Sequence, residues 1–157
     1  MKISYKGITI NGSNFESKTS LCEKCLHPAC HDYATLSCSD FTPALSFKTP
    51  LIGFNNELFN TFRIGKSWSK RLVRGAMVAI TDCKTGDIIH YAIVTGIYVG
   101  EKEEMLEKHG RFNHSILALN ISDNIAFVLS ERLKRTYGKM IYNSTGYLTA
   151  IYLKVIG

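Results

Sequence analysis

The chain of 157 residues is 45% hydrophobic and 11% aromatic, which is enough apolar material to fill the core of one domain and excludes wholesale disorder. No run of about 18 apolar residues occurs, and the first ten residues carry no continuous apolar stretch, so the sequence predicts a soluble, cytoplasmic protein without a membrane span or signal peptide. The net charge is +6, and the whole excess lies in residues 47–157, whose fifteen basic and nine acidic side chains indicate either an anionic partner or simply a solubilising surface.

Residues 1–46 are predicted to form a pair of short strands followed by a small zinc-binding lobe. Apolar residues alternate with polar ones on both sides of Lys6-Gly7, which predicts two strands joined by a turn. A loop at residues 11–14 then leads into a cysteine-rich segment. The segment Phe41-Thr42-Pro43 precedes the larger domain, which is predicted to cover residues 47–157.

Residues 22–38 hold four of the five cysteines, spaced Cys22-x2-Cys25-x4-Cys30-x7-Cys38. A C-x2-C pair brings two sulfurs to one metal ion from a tight turn, and two further thiolates complete the tetrahedron of a closed structural zinc site. A loop-rich segment of this length has little apolar surface of its own, so the metal would contribute much of its folding free energy. The spacing therefore predicts one structural zinc ion, held by these four cysteines.

Other interpretations of the cysteine segment remain open at the level of sequence. An iron–sulfur cluster also takes four cysteines, a metal-free segment is a third alternative, and His27 or His31 are substitute ligands for Cys30 or Cys38. Disulfides conflict with a reducing cytoplasm, and no strand–helix context supports a thioredoxin-type redox pair. The fifth cysteine, Cys83, stands alone after a predicted strand and is interpreted as a bystander thiol.

The larger domain begins with a strand, a short helix and a hairpin. Leu58–Ile64 alternates apolar with polar residues and predicts a strand. Ser67 is predicted to cap a short helix that Gly75 closes. The clearest β-hairpin covers residues 77–100, with its turn at residues 84–87.

Two longer helices and a final strand complete the predicted domain. The charged segment 101–109 predicts a helix that ends at Gly110. Ser122-Asp123 is predicted to cap an amphipathic helix that Gly138 stops, and the basic residues of its last turns complement the helix dipole. Residues 146–156 predict a strong last strand. The fold class is therefore α+β, with a β-rich core and a few short helices.

Short motifs in residues 47–157 match a known pattern. Thr61-Phe62-Arg63 fits the end of G-x-K-x-x-T-x-R, Gly75 precedes a strand, and Tyr137-Gly138 follows a helix before the last strand. By these residues the domain resembles the ASCH family of the PUA-like superfamily. The resemblance implies a PUA-like β-barrel and RNA-related binding, and the zinc segment lies outside it.

The same resemblance bears on catalysis. Some ASCH proteins are small amidohydrolases of acetylated cytidine, which use the Lys and Thr of the motif and a Glu further along. Here Thr61 matches the Thr, but Leu58 stands at the Lys position and Asn113 falls at the Glu position in the simplest alignment. Since Leu can neither activate a nucleophile nor donate a proton, no catalytic residue is assigned, and hydrolysis of a modified nucleoside stays an alternative function.

Two basic runs with neighbouring aromatic residues form the candidate binding surface. Basic side chains neutralise phosphates, and an aromatic face stacks on an unpaired base. The second run also contains Arg132 and Lys139 and lies near Tyr142. The residues assigned to nucleic-acid binding are Thr61, Arg63, Lys66, Trp68, Lys70, Arg71, Arg74, Lys134, Arg135 and Tyr137.

The alternative without nucleic-acid binding is that Trp68 packs in the core and that the charged runs are solvent-exposed helix faces. No helix resembles a recognition helix for the major groove, so RNA or another single strand is the expected partner. A different class of function is a protein-interaction module whose zinc lobe docks a partner, such as a phage or mobile-element factor acting on a host protein. The remaining histidines, His90, His109 and His114, show no ligand spacing and are given no role.

Overall fold

The computed structural model describes the strands Lys2–Tyr5 and Ile8–Asn11 and then residues 42–156 without a break. The two N-terminal strands, β1 and β2, pair antiparallel with Tyr5 opposite Ile8. This confirms the predicted strand pair around Lys6-Gly7. The predicted zinc ligands at positions 22–38 lie outside the described residues.

A five-stranded mixed sheet forms the centre of the larger domain. Its strand order is β3-β5-β6-β7-β4, and β3 pairs parallel with β5 while the other pairs are antiparallel. The sequence had predicted β4, the β5–β6 hairpin and β7 but not β3. Since β3 begins at Ala44, the predicted domain boundary between residues 46 and 47 falls inside a strand of this sheet. The strands are β3 Ala44–Phe47, β4 Phe59–Ile64, β5 Met77–Asp82, β6 Ile88–Glu101 and β7 Tyr147–Val155.

Five α-helices and one 3₁₀ helix surround the sheet in the part of the chain from 42 to 156. The predicted helices α1, α2 and α4 are confirmed, and α4 ends at Gly138, whereas α3, α5 and the 3₁₀ helix were not predicted. The helices are α1 Ser67–Arg71, α2 Lys102–His109, the 3₁₀ helix Gly110–Phe112, α3 His114–Leu119, α4 Ile125–Tyr137 and α5 Lys139–Ser144.

Both predicted serine caps are wrong. Ser67 is the first residue of α1 and Lys66 takes the cap position, without a side-chain cap hydrogen bond. The cap position of α4 belongs to Asn124, which adopts a left-handed conformation (φ 52°), so Ser122-Asp123 lies too early in the chain. A serine caps a helix only where the backbone brings the N–H groups of the first helical turn within reach of its hydroxyl. The residue type alone does not determine where the helix begins.

The sheet separates two apolar cores because side chains alternate along each strand. On β7, Ile151 and Leu153 enter the first core, which also receives residues from the other four strands. Leu148 and Ala150 point the other way, into the second core, which is filled by residues of α2, α3, α4 and α5. Burial of these side chains is the main force that holds the helices on the sheet.

The edge strands β3 and β4 approach each other because the sheet curls around the first core. The Arg63 guanidinium on β4 donates through Nη2 to the backbone carbonyl of Ser46 on β3, at 2.9 Å. The two edges therefore meet through a side chain rather than through a strand ladder. Within residues 42–156 and the two N-terminal strands, no helix is both long and apolar enough to cross a membrane.

Candidate functional site

A cavity of about 350 Å³ lies where the two edge strands meet α3 and α4. Thr61 and Arg63 of β4 line one side, and Arg132 and Tyr137 of α4 line the opposite side. The segment 46–50, residues 113–115, Cys83, Phe62 and further residues of α4 also line the cavity. A volume of this size falls at the lower end of the range typical of small-ligand pockets, about 300–1,000 Å³.

The cavity wall carries cations and no carboxylate among the residues that line it. Arg63, Arg132 and Lys48 supply the positive charge. Lys48 Nζ donates to the backbone carbonyl of Thr136 at 2.6 Å, which ties the segment after β3 to α4 across the cavity. Neither arginine forms a salt bridge with a described residue, so the site favours an anionic ligand.

Arg63 is held in place by its neighbours while part of its donor capacity stays free. Its guanidinium carbon lies 4.9 Å from the ring centre of Phe47 and 5.8 Å from that of Trp68. Of its five N–H donors, one on Nη2 bonds Ser46, and the Nε–H is buried without a hydrogen-bond partner among the described residues. A fixed guanidinium with free donors is suited to recognise a phosphate or carboxylate by paired hydrogen bonds.

His114 is a neutral residue of the cavity wall. Burial lowers the pKa of His114 from its ordinary value of 6.5 to about 4, with further lowering by the charges of Arg63 and Arg132, against the raising effect of the hydrogen bond to Ile52. Nδ1 lies 2.8 Å from the Ile52 carbonyl oxygen, so Nδ1 donates and Nε2 is left as an acceptor. The ring also stacks on Phe54, with centroids 5.3 Å apart.

Two positions of the hydrolase pattern, Thr61 and Asn113, line the cavity, but their chemistry is limited. Thr61 is 4% exposed and contributes a hydroxyl-bearing side chain to the cavity lining. The Asn113 side chain caps α3, because its Oδ1 accepts from the Ser115 N–H at 3.1 Å and from the Ser115 hydroxyl at 2.7 Å. A carboxamide engaged in this way cannot take up a proton as a glutamate would.

Leu58 does not line the cavity. It precedes β4, is 47% exposed and lies outside the set of lining residues. The Lys position of the hydrolase pattern therefore lies outside the cavity, and the cations that line it, Lys48, Arg63 and Arg132, come from other positions of the chain.

The basic residues of α1 lie next to the cavity rather than in it. Trp68 packs against the first core, and Arg71 lies over the same indole ring as Arg63, 5.4 Å from its centre. Lys66 Nζ sits 3.6 Å from the ring centre of Tyr147. Lys70 and Arg74 are exposed. Trp68 thus lies between the cavity residue Arg63 and Arg71 of α1.

On α4 only some of the predicted residues face the cavity. The lining residues Leu129, Arg132, Leu133 and Thr136 recur at helical spacing, and Tyr137 lies beside them. Lys134 and Arg135 are not among the lining residues. Lys134 Nζ donates to the Glu131 carboxylate at 2.7 Å, which lowers the pKa of Glu131 and raises that of Lys134.

Several polar lining residues, Lys48 among them, were missed or given no role at the level of sequence. Arg132 was counted only as one of several basic residues of its helix, although its spacing from Leu129 and Leu133 places it on the apolar face. His114, Ser115 and Cys83 reach the cavity through the tertiary fold, and no local pattern identifies them. Cys83 is an exposed free thiol at the cavity wall.

No group of three or more His, Cys, Asp or Glu residues is placed to hold a metal ion within residues 42–156. Cys22, Cys25, Cys30 and Cys38 lie outside that part of the chain, and the predicted zinc site stays a prediction.

The sequence matches no protein-family model and no curated protein. Its fold is similar to the crystal structure of a hypothetical protein, PH0355, with 18% sequence identity and a TM-score of 0.49, covering 72% of this chain and 97% of that one. It is also similar to a mutant of ZmASCH from Zymomonas mobilis (15% identity, TM-score 0.46, 71% of this chain and 66% of that one). A third similar structure is the ASCH domain from Lactobacillus crispatus JV V101 (11% identity, TM-score 0.44, 73% of this chain and 80% of that one).

Proposed function

We propose that this chain is an ASCH-like protein with a PUA-type barrel that binds single-stranded nucleic acid, RNA in particular, by admitting one nucleotide into the cavity. The observation that carries the proposal is the pair of arginines, Arg63 and Arg132, in a cavity wall without a carboxylate. Unpaired cations in a partly buried site are costly unless an anion balances them. Phosphate is the anion that every nucleic acid supplies.

The surface beside the cavity also carries cationic and aromatic side chains that can contact a nucleic acid. Arg63, Trp68 and Arg71 lie in one stacked group, so a strand whose end nucleotide occupies the cavity can continue across α1. Lys66 and Lys70 are available to further phosphates because both are exposed. Since α1 has only five residues, it is too short to read a major groove, which favours a single strand over duplex DNA.

The test compares two arginines of one helix. Arg132→Gln removes a cavity cation, whereas Arg135→Gln removes a neighbouring exposed cation that does not line the cavity. Affinity for a single-stranded RNA of mixed sequence is measured by calorimetry at fixed salt, with duplex RNA and duplex DNA as comparators. We expect Arg132→Gln to weaken binding about tenfold, as for the loss of one charge-assisted hydrogen bond, and Arg135→Gln to change it less than about threefold. Equal losses in the two variants, or absence of RNA binding by the parent, contradict the proposal.

The alternative function is hydrolysis of a modified nucleoside, and the position of Thr61 in the cavity lining is the feature that favours it. With Leu58 outside the cavity and Asn113 engaged as a helix cap, we expect no release of acetate from acetylated cytidine above background. Robust turnover that Thr61→Ala abolishes would make hydrolysis the primary function.

The four cysteines of residues 22–38 are proposed to hold one structural zinc ion, and this lobe is the part of the chain proposed to contact a protein partner. Metal analysis of the purified protein should find about one equivalent of zinc, because four-thiolate sites bind tightly. Cys25→Ser should lower the metal content and disorder this lobe more than the barrel, and Cys83→Ser is the matched control that should keep the metal. Bound iron in place of zinc would replace the assignment by an iron–sulfur cluster.

A further inference from the structure

The cavity is closed at one end and open at the other. Its floor is made of buried side chains, among them Thr61, Phe62, Asn113 and Ser115, all 4% exposed or less. Lys48 and Cys83, by contrast, are exposed members of the lining and mark its rim. A strand that enters such a site cannot leave on the far side, so either a chain end or a single free nucleotide has to occupy it.

The charge of the wall suits a doubly charged group. Arg63, Arg132 and Lys48 provide three positive charges, the lining contains no Asp or Glu, and the neutral His114 adds none. A phosphate monoester carries about −1.5 to −2 charges at pH 7, whereas each internal phosphodiester of a strand carries one. A neutral base placed against these cations would leave them unbalanced, which favours entry of the phosphate first.

Donors for that group are already positioned on both sides of the cavity. Arg63 is fixed by Ser46 and the Phe47 ring, and the hydrogen bond to Ser46 engages only one of its five N–H donors. Arg132 faces it from α4, with no salt bridge to a described residue. Two guanidinium groups that converge on one cavity match the oxygens of a monoester by bidentate hydrogen bonds.

We propose that the cavity recognises a phosphate monoester, presented either by the phosphorylated end of a single strand or by a free nucleoside monophosphate. The strand-end form rests on the proposed function, and the free-nucleotide form does not. Binding proceeds without a covalent step.

The experiment compares one RNA oligonucleotide in three forms: with a 5′-phosphate, with a 3′-phosphate, and with hydroxyl groups at both ends. Uridine monophosphate, uridine and inorganic phosphate are tested alongside. Affinity is measured by calorimetry on the full chain, and alkylation of Cys83 at the rim is followed by peptide mass spectrometry as a report of cavity occupancy.

We expect at least one phosphorylated form to bind about tenfold more tightly than the hydroxyl form and to slow alkylation of Cys83. Arg132→Gln should abolish this preference, and Arg135→Gln should keep it. Uridine monophosphate should protect Cys83, whereas uridine should not.

The outcomes separate the two proposals. Equal binding of all three oligonucleotides, with no protection by uridine monophosphate, overturns the monoester site and leaves single-strand binding intact. Protection by uridine monophosphate without binding of any oligonucleotide supports the monoester site and overturns strand binding. Absence of binding by every probe overturns both.

Discussion

Acid sensitivity of folding should depend on His114. The pKa of this imidazole falls from 6.5 to about 4 when the chain folds, chiefly because it is buried, and Arg63 and Arg132 add to the effect. Below pH 6.5 the unfolded chain therefore binds a proton at His114 that the folded chain does not bind. Stability from this group is complete above about pH 6.5 and is lost as the pH falls toward 4.

The magnitude follows from the two pKa values. Linkage gives a loss of about 2 kcal/mol at pH 5 and about 3 kcal/mol at pH 4 relative to neutral pH. A loss of about 2 kcal/mol corresponds to a fall in Tm of roughly 4–8 °C for a chain of this length. The range from pH 7.5 to 5 is the informative one, because few carboxylates titrate there.

The perturbation is His114→Gln, which keeps a donor for the Ile52 carbonyl but cannot titrate in this range. Urea unfolding of parent and variant at pH 7.5, 6.5, 5.5 and 5.0 measures both free energies of unfolding. The variant starts lower, because it loses the stacking on Phe54, but its stability should fall about 2 kcal/mol less than that of the parent by pH 5. Parallel curves for the two proteins would refute the reasoning, as would an NMR titration in which the His114 ring protonates near pH 6.5.

Three further predictions address close packing, the first core and the basic surface. Gly53→Ala places a Cβ 1.8 Å from the backbone oxygen of the first residue of α3, at a φ of +84°. It should lower the free energy of unfolding, measured with a chemical denaturant, by more than about 3 kcal/mol. Gly86→Ala, at a φ of +78° with open space around it, should lower it by about 1 kcal/mol. Trp68→Ala should lower stability by about 2–3 kcal/mol because the indole packs against the first core, and weaker RNA binding with unchanged stability would instead identify Trp68 as a base-stacking residue. Replacing Lys70 and Arg71 together by Ala should flatten the log–log salt dependence of RNA binding by about one to two units if both contact phosphate; an unchanged slope would identify these two side chains as solvated surface.

Local patterns were sufficient for much of the sheet and for the ends of two helices. Alternation of apolar and polar residues predicted β4, the turn at residues 84–87 between two apolar runs predicted β5 and β6, and the apolar segment 146–156 predicted β7, because these signals lie within the segments themselves. Gly110 and Gly138 were correctly predicted to end α2 and α4. Gly138 has a positive φ of 92°, which favours glycine, whereas Gly110 keeps helical dihedrals and lies close to Leu129 and Ile125 of α4. The α+β class followed from these elements.

The sequence did not predict β3 and α3, whose conformations depend on contacts with residues far away along the chain. β3 has four residues and is defined by its parallel pairing with β5, in which Ala44 lies opposite Ala79, and no signal in the short segment itself distinguishes it from a loop. α3 begins where Asn113 meets β4 through a bridge to Asn60. Both segments therefore owe their conformation to contacts that span more than thirty residues of sequence.

The residues that line the cavity likewise fall into those that the sequence identifies and those that only the tertiary structure brings there. Thr61 and Arg63 were identified from the sequence because both belong to one short motif on one strand. Helical periodicity separates Arg132 from Arg135, so that part of the site was readable from the sequence in principle. His114 and Cys83 lie 53 and 22 residues away from Thr61 along the chain, and both line the same cavity. Only the tertiary structure places them there, because the curl of the sheet and the packing of α3 against β4 are decided by burial of the two cores, to which the whole chain from β3 to β7 contributes.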